Sequence, residues 1–292
     1  MDPSVGSVAA AGEGSGWNYS EAFCRNAGLI SEAEQERLRS SRVAIAGMGG
    51  VGGVHLATLA RLGVGRFTIA DPDTFETANT NRQYGARTDT LGRPKAEVMA
   101  EEVLKINPQA EVTIFDGAIS REGVGDFLRD ADVFVDGMDL FEMDIRRALF
   151  DAAREQGIHS LTAGPMGFGC AWMVFSPDGV TVDEYFGLSD RMGDLDKVVA
   201  FVVGLAPSAF HRTYLDMTAV NLERRHGPSL GSACGLAAGV IGAEVCRVLL
   251  GRGGLRCAPF HLEFDPFRYR FKCGKTGWVR RHTVQRLRCW VL

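Results

Sequence analysis

The sequence predicts an α/β fold: a mostly parallel sheet flanked by helices, with an additional antiparallel C-terminal sheet. Three observations carry that expectation. From residue 43 to about 163, short apolar runs alternate with longer helix-like ones, the pattern of strand-helix-strand units. A glycine-dense stretch, Gly-Met-Gly-Gly-Val-Gly-Gly at 47–53, joins the first apolar run to the first helical one. Finally, this stretch, Asp71 and Asp139 all fall just beyond strand-like runs, at the carboxyl ends where ligands of such sheets bind.

Taken in order, residues 1–16 are rich in Ala, Gly and Ser and predict a disordered tail. Residues 17–42 form an N-terminal helical segment, with Ser31 and Glu34 spaced as a capping box. A core of 43–175 follows, with strands at 43–46, 66–70, 111–115, 132–136, 159–163 and 169–175 and helices at 53–62, 94–105 and 143–156. Residues 176–230 form a divergent crossing segment. An Ala/Gly-rich helix and strands within 231–273 complete the domain, those at 259–273 forming with 169–175 a smaller sheet for the acceptor, and 274–292 is a basic tail.

The glycines define a Rossmann-like nucleotide site. A loop without Cβ atoms lets backbone N–H groups approach phosphates closely at the positive end of a helix. Asp71, about 20 residues on, occupies the usual place of a ribose-binding carboxylate. Nicotinamide enzymes share both features, so they leave an oxidoreductase open. A nucleotidyl transfer also needs cations where charge develops on the phosphates, and Arg82 and Lys95 are candidates for that clamp. Singly, each of these residues reads equally well as a turn former or a solvated charge.

The ordered set is more specific than its parts. Gly-Met-Gly-Gly-Val-Gly, Asp71-Pro72-Asp73, Asn79-Thr80-Asn81-Arg82-Gln83, Gly92-Arg93-Pro94-Lys95-Ala96-Glu97-Val98, Ile106-Asn107-Pro108 and Asp136-Gly137-Met138-Asp139 recur in sequence. With them the chain resembles the ThiF/MoeB/HesA superfamily of adenylating enzymes related to the ubiquitin-activating enzymes. The resemblance implies that Gly47, Gly49, Gly50 and Gly52 line the phosphates of ATP, and that Asp71 and Asp73 lie at the ribose end. It also implies that Asn79, Arg82, Gln83 and Lys95 grip the nucleotide and that Asp139 holds Mg²⁺. It further implies an arginine from a partner subunit, for which Arg25 is the match, and hence a homodimer. One departure is Leu140, where the family usually has Asn or Ser after the aspartate.

Many relatives carry two Cys-x-x-Cys pairs for a structural zinc. The seven cysteines here include no such pair, which predicts no zinc, and their odd number and spacing argue against a disulfide framework. Residues 176–230 occupy the place of the catalytic-cysteine loop of ubiquitin-activating relatives and contain no cysteine. Cys170 and Cys234 flank the segment. Both read as packing residues, with Cys234 kept as an alternative nucleophile. His211 and Arg212 are candidates for recognising a substrate carboxylate, or equally surface residues.

Composition bounds the rest. The chain has 292 residues, 46% hydrophobic and 23% charged, enough for a substantial core in one or two domains. A net charge of −4 gives no global reason to bind nucleic acid, although residues 268–292 hold eight Lys or Arg, two Trp and no acid. No secretory signal is evident, and the apolar run from Val198 to Phe210 contains Pro207 and is too short to span a membrane. A cytoplasmic protein with no membrane partner is expected.

The expected activity is ATP- and Mg²⁺-dependent adenylation of a carboxylate on a peptide, a protein C-terminus or a small molecule. The alternatives are a dehydratase or cyclase acting on a modified tRNA nucleoside, suggested by the likeness of 80–83 and 95–101 to that branch, an NAD-dependent oxidoreductase, and an inactive ATP-binding scaffold.

Overall fold

The computed structural model describes residues 5–8, 16–221, 224–225 and 227–276, the first of these stretches by its backbone. Residues 277–292, with Trp278 and Trp290 of the expected basic tail, lie outside the described residues, as does His226.

One sheet organises the molecule. Its strands are β1 (Val5–Val8), β2 (Arg42–Ala46), β3 (Arg66–Ala70), β4 (Glu111–Phe115), β5 (Val133–Asp136), β6 (His159–Met166), β7 (Gly169–Phe175), β8 (Phe260–Asp265) and β9 (Arg270–Lys275). They are ordered β1-β4-β3-β2-β5-β6-β7-β8-β9. The stretch β4-β3-β2-β5-β6 is parallel and the remaining neighbours are antiparallel. Two expectations change here. The antiparallel C-terminal strands continue the parallel sheet edge to edge through β7 instead of standing apart as a smaller sheet. Val5–Val8, inside the tail expected to be disordered, pair with Val112–Phe115, because the open edge of β4 offers backbone groups to any extended segment.

The helices are α1 (Tyr19–Ala22), α2 (Glu32–Ser40), α3 (Gly52–Leu62), α4 (Lys95–Ile106), α5 (Val124–Phe127), α6 (Met143–Glu155), α7 (Val182–Phe186), α8 (Asp194–Leu205) and α9 (Gly231–Leu249). Strand residues alternate between two cores. Val43, Ile45, Val133 and Val135 point to the layer of α3, α4 and α9, whereas Ala44, Ala46 and Phe134 point to that of α6, α7 and α8. Both faces are covered, so these strands read as unbroken apolar runs. The small alanines of β2 on the second face let that layer sit close. By length and composition α9 is apolar enough to cross a bilayer, a feature the sequence reading passed over; half of its window is buried, as in a core helix.

The N-terminal segment locks the far end of α3. Ser31 caps α2 with the expected Glu34 box. Tyr19 Oη donates to the carbonyl of Gly63, the left-handed C-cap of α3, at 2.5 Å. A side chain at Gly63 would collide with Gln35 and Tyr19, so this junction requires glycine.

Candidate active site

The strand order reverses around β2, whose neighbours are β3 and β5, and the crevice at that switch point is where such sheets take ligands. A cavity of about 400 Å³ opens there, lined by the glycine loop, Asp71, Asp73, Arg82, Gln83, Lys95 and Asp139.

The loop glycines divide into two kinds. Gly47 has φ +88°, and a Cβ on it would lie 2.4 Å from the Gly137 oxygen; a Cβ on Gly52 would lie 1.7 Å from the Gly47 oxygen. Gly47 is glycine because the β2 and β5 connections touch there, and Gly52 because the loop folds back on Gly47. Gly52, the first residue of α3, is buried and its surface does not line the cavity. For Gly49 and Gly50 the nearest neighbours of an added Cβ are 3.7 and 3.5 Å away, ordinary contacts. Nothing in the fold forbids a side chain at these two, and both face the cavity.

Asp71 follows β3 and holds the loop in shape, its carboxylate accepting from Met48 N–H at 2.6 Å and Asp73 N–H at 2.9 Å. Burial pushes this carboxyl above its usual range, partly offset by the Lys95 charge and those two bonds. Lys95, the first residue of α4, is buried and its Nζ donates to Asp73 at 2.9 Å. Arg82 reaches the same cavity and bonds only neutral oxygens among the described residues, Ala78 O and Asn81 Oδ1, each at 3.0 Å. Asn79 does not line the cavity. Its carboxamide accepts Glu76 N–H at 3.0 Å and builds the turn that presents Arg82 and Gln83.

On the β5 side, Asp139 is exposed on the cavity wall and one of its oxygens accepts Phe141 N–H at 3.0 Å. The loop carrying it is set by a residue the sequence reading missed. Arg146 is 2% exposed, pairs with Asp136 at 2.9 Å and donates to the carbonyls of Met138, Asp139 and Leu140. Thr162 donates to the same Asp136 oxygen at 2.8 Å. The signal was available: Arg146 falls three residues after Met143 and three before Leu149 on the buried stripe of α6.

Cys234 also lines the cavity, at the start of α9 beside Ser229 and Gly50. Burial pushes its thiol up, and Ser229 and Arg82 offset only part of that. His211 lines the cavity while Arg212 is exposed outside it. Arg25 is exposed in a short 3-10 turn next to Asn26, whose side chain bonds Leu62 O. It therefore sits at the C-terminal end of α3, about 16 Å of helix from the glycine loop, and does not reach the cavity of its own chain. Among the described residues no group of three or more His, Cys, Asp or Glu is arranged to hold a metal.

The comparisons meet this geometry. A ThiF family model matches residues 23–282. The chain belongs to the ThiF family. It is 35% identical over 151 residues to the tRNA threonylcarbamoyladenosine dehydratase of Haemophilus influenzae, covering 51% of this chain and 57% of that protein. It is 32% identical over 143 residues to the sulfur carrier protein ThiS adenylyltransferase of Escherichia coli, covering 49% and 56%. The chain thus spans little more than half the length of these relatives. Among solved structures, E. coli MccB with ATP superposes with a TM-score of 0.64 at 19% identity over 84% of this chain and 66% of that one, a likeness of fold. Relatives named as adenylyltransferases, among them the ThiS enzyme of Escherichia coli and a probable molybdopterin-synthase adenylyltransferase of Porphyra purpurea, are matched over the same kind of partial span.

Proposed function

We propose that the chain adenylates a substrate carboxylate with ATP. One observation carries this reading: Arg82, paired with neutral oxygens alone among the described residues, and the buried amine of Lys95 line the same cavity as the sterically open Gly49 and Gly50. Hydride transfer develops no negative charge on the phosphates, whereas pyrophosphate departure does, and two cations beside a phosphate loop stabilise it.

In this reading the backbone N–H groups of 49–51 and the start of α3 hold the phosphates. The Asp71 carboxylate accepts about four hydrogen bonds in all, so its two backbone donors leave capacity for ribose hydroxyls. The substrate carboxylate is itself the nucleophile. Its oxygen bonds to the α-phosphorus, the bond from that phosphorus to the β-bridging oxygen breaks, and the electron pair leaves on pyrophosphate. Arg82 and Lys95 offset the charge that builds there, and positioning supplies most of the rate. Asp139 suits a magnesium ion, which takes one or two carboxylates together with water and phosphate oxygens. When bound, that ion neutralises phosphate charge.

The distance of Arg25 from its own cavity fits a homodimer in which each subunit lends this arginine to the other. A cytoplasmic setting remains part of the proposal.

ATP–pyrophosphate exchange tests the reading: label should enter ATP in the presence of a carboxylate substrate and not in Lys95→Ala. Exchange that persists in that variant would remove the basis of the assignment. A second reading, cyclisation of a modified tRNA nucleoside, is favoured by the 35% identity to the dehydratase; tRNA as the carboxylate source in the same assay separates it from peptide or small-acid substrates.

A further inference from the structure

The geometry points to an acceptor pocket, beyond the nucleotide, that takes an uncharged apolar group attached to the substrate carboxylate. This inference rests on the adenylation reading and adds the class of substrate.

The cavity does not end at Asp139. β6 is paired with β5 up to Thr162 opposite Asp136, then runs on through Gly164, Pro165 and Met166 past the end of its neighbour. This overhang forms one wall of the cavity's second limb. α8 forms another with Phe201, Val202 and Leu205, and Leu215 contributes from the segment after it. The order of these residues follows from contacts. The Arg146 guanidinium lies 4.8 Å from the Phe201 ring, placing Phe201 beside the Asp139 loop. Leu205 abuts Gly164, where an added Cβ would approach its Cδ2 to 3.2 Å. His211 closes on Gly167, where a Cβ would lie 2.9 Å from its own.

The charges of this limb are already engaged. Among the described lining residues on this side, Arg146 is committed to Asp136 and three carbonyls, and Arg225 is paired with Glu142 at 2.8 Å and lies over the Phe141 ring. Burial lowers the pKa of His211, which keeps its imidazole neutral at physiological pH. A second carboxylate or a phosphate would find no buried counter-charge free in this limb, only the exposed Arg225, which it would share with Glu142 in a pairing of little worth in water. An apolar body would instead replace water against Met166, Val202 and Leu215, the partly exposed apolar side chains of this limb. A C-terminal Gly-Gly would leave these side chains unfilled. Two sources present the required chemistry: a small branched or aromatic carboxylic acid, and a peptide whose last residue is apolar.

Stable acyl-adenylate mimics read the pocket without turnover. Acetyl, isovaleryl, phenylacetyl, succinyl, glycylglycyl and N-acetylglycyl-leucyl sulfamoyladenosines would be titrated calorimetrically into the full chain, with AMP as reference. The isovaleryl or leucyl mimic should bind at least about tenfold more tightly than acetyl, given roughly 0.8 kcal/mol per buried methylene. Succinyl and glycylglycyl should gain nothing over acetyl. Preference for isovaleryl and phenylacetyl identifies a free acid, and preference for the leucyl mimic a peptide end. Leu215→Asp should bring the isovaleryl-to-acetyl ratio towards one, with Val202→Asn as a milder replacement and melting curves to confirm folding. AMP binding with no apolar gain, or tightest binding by succinyl or glycylglycyl, would overturn this inference and leave adenylation standing. Failure of AMP and every mimic to bind would overturn both.

Discussion

Lys95 and Asp73 are joined twice: the ammonium donates to the Asp73 carboxylate at 2.9 Å, and the Lys95 backbone N–H donates to the Asp73 carbonyl at the same distance. The pair is lopsided in exposure, with the lysine side chain 7% exposed and the aspartate 67%. The amine is therefore held at the cavity wall by a partner that water can solvate in its place. When a triphosphate arrives, the ammonium can pass to a phosphate oxygen at little cost to Asp73. Lys95→Ala should cut nucleotide affinity and pyrophosphate exchange by about 100-fold or more, on the scale of other lost charge-stabilising donors. Asp73→Asn should fold and retain most of the exchange. Calorimetry with ATP and the exchange assay measure both; loss of exchange in Asp73→Asn equal to that in Lys95→Ala would make the pair one catalytic unit.

Gly50→Ala and Gly52→Ala should fail in different ways. At Gly52 a methyl would stand 1.7 Å from the Gly47 oxygen, so the variant should melt well below the parent or not fold. At Gly50 the closest contact is 3.5 Å, so melting should shift by no more than about 2 °C, a fraction of a kcal/mol. ATP affinity should nevertheless fall about tenfold or more, because the methyl stands where a phosphate must approach the backbone. Equal affinity in Gly50→Ala and the parent would remove the loop from the nucleotide site.

Arg146→Ala should be among the most damaging substitutions outside the glycine loop. It strands the buried Asp136 carboxylate and frees three carbonyls. Removing one partner of a buried pair costs about 3–5 kcal/mol. Thermal melting should drop by about 6 °C or more, at roughly 2–4 °C per kcal/mol for larger domains. A drop below about 2 °C would show that the loop carrying Asp139 is held by other contacts.

Thiol labelling should separate the cysteines by pH. Cys24 and Cys273 are exposed, whereas burial raises the pKa of Cys234 and pushes that of Cys170 to about 12. A raised thiol pKa leaves less thiolate at neutral pH, and thiolate is the reactive form. Iodoacetamide at pH 7.5 should therefore mark Cys24 and Cys273 first, with Cys234 gaining only as the pH rises and Cys170 remaining inert. Peptide mass mapping follows this directly. Rapid modification of Cys234 at pH 7.5 would instead suit a nucleophile.

Mixed subunits test the borrowed arginine. Arg25→Ala and Lys95→Ala should each lose exchange alone, and a mixture should regain roughly a quarter of parental activity by random pairing of dimers, each with one intact composite site. No recovery, with dimers confirmed by light scattering, would place Arg25 outside the chemistry.

The parallel strands β2 to β5 were legible to within a residue because burial on both faces makes them unbroken apolar runs between turn residues, whereas β6 runs three residues past its expected end at 163. The loop glycines were legible as a motif but not as two kinds, since only the close approach of Gly47 to Gly137 and of Gly52 to Gly47 separates them from Gly49 and Gly50. Arg146 escaped because an arginine is ordinarily read as solvated, and its burial depends on Asp136 lying ten residues earlier in the next layer. Val5–Val8 lacked any local signal: their pairing is decided by the free edge of β4. α7 and α8 within 176–230 escaped because that segment was read for its polar residues, although Thr181 and Glu184 form a capping box of the same kind as Ser31 and Glu34.

Asn81 Nδ2 donates to the Ser229 carbonyl at 2.9 Å, and Gly231 comes so near Asn81 that a Cβ there would sit 2.8 Å from its oxygen. The stretch ending at Ser229 is consequently moored to the very turn that presents Arg82, while its other end is anchored by α8 against β6. Between those moorings, side chains such as Leu215 can be exchanged without disturbing the turn that carries Arg82.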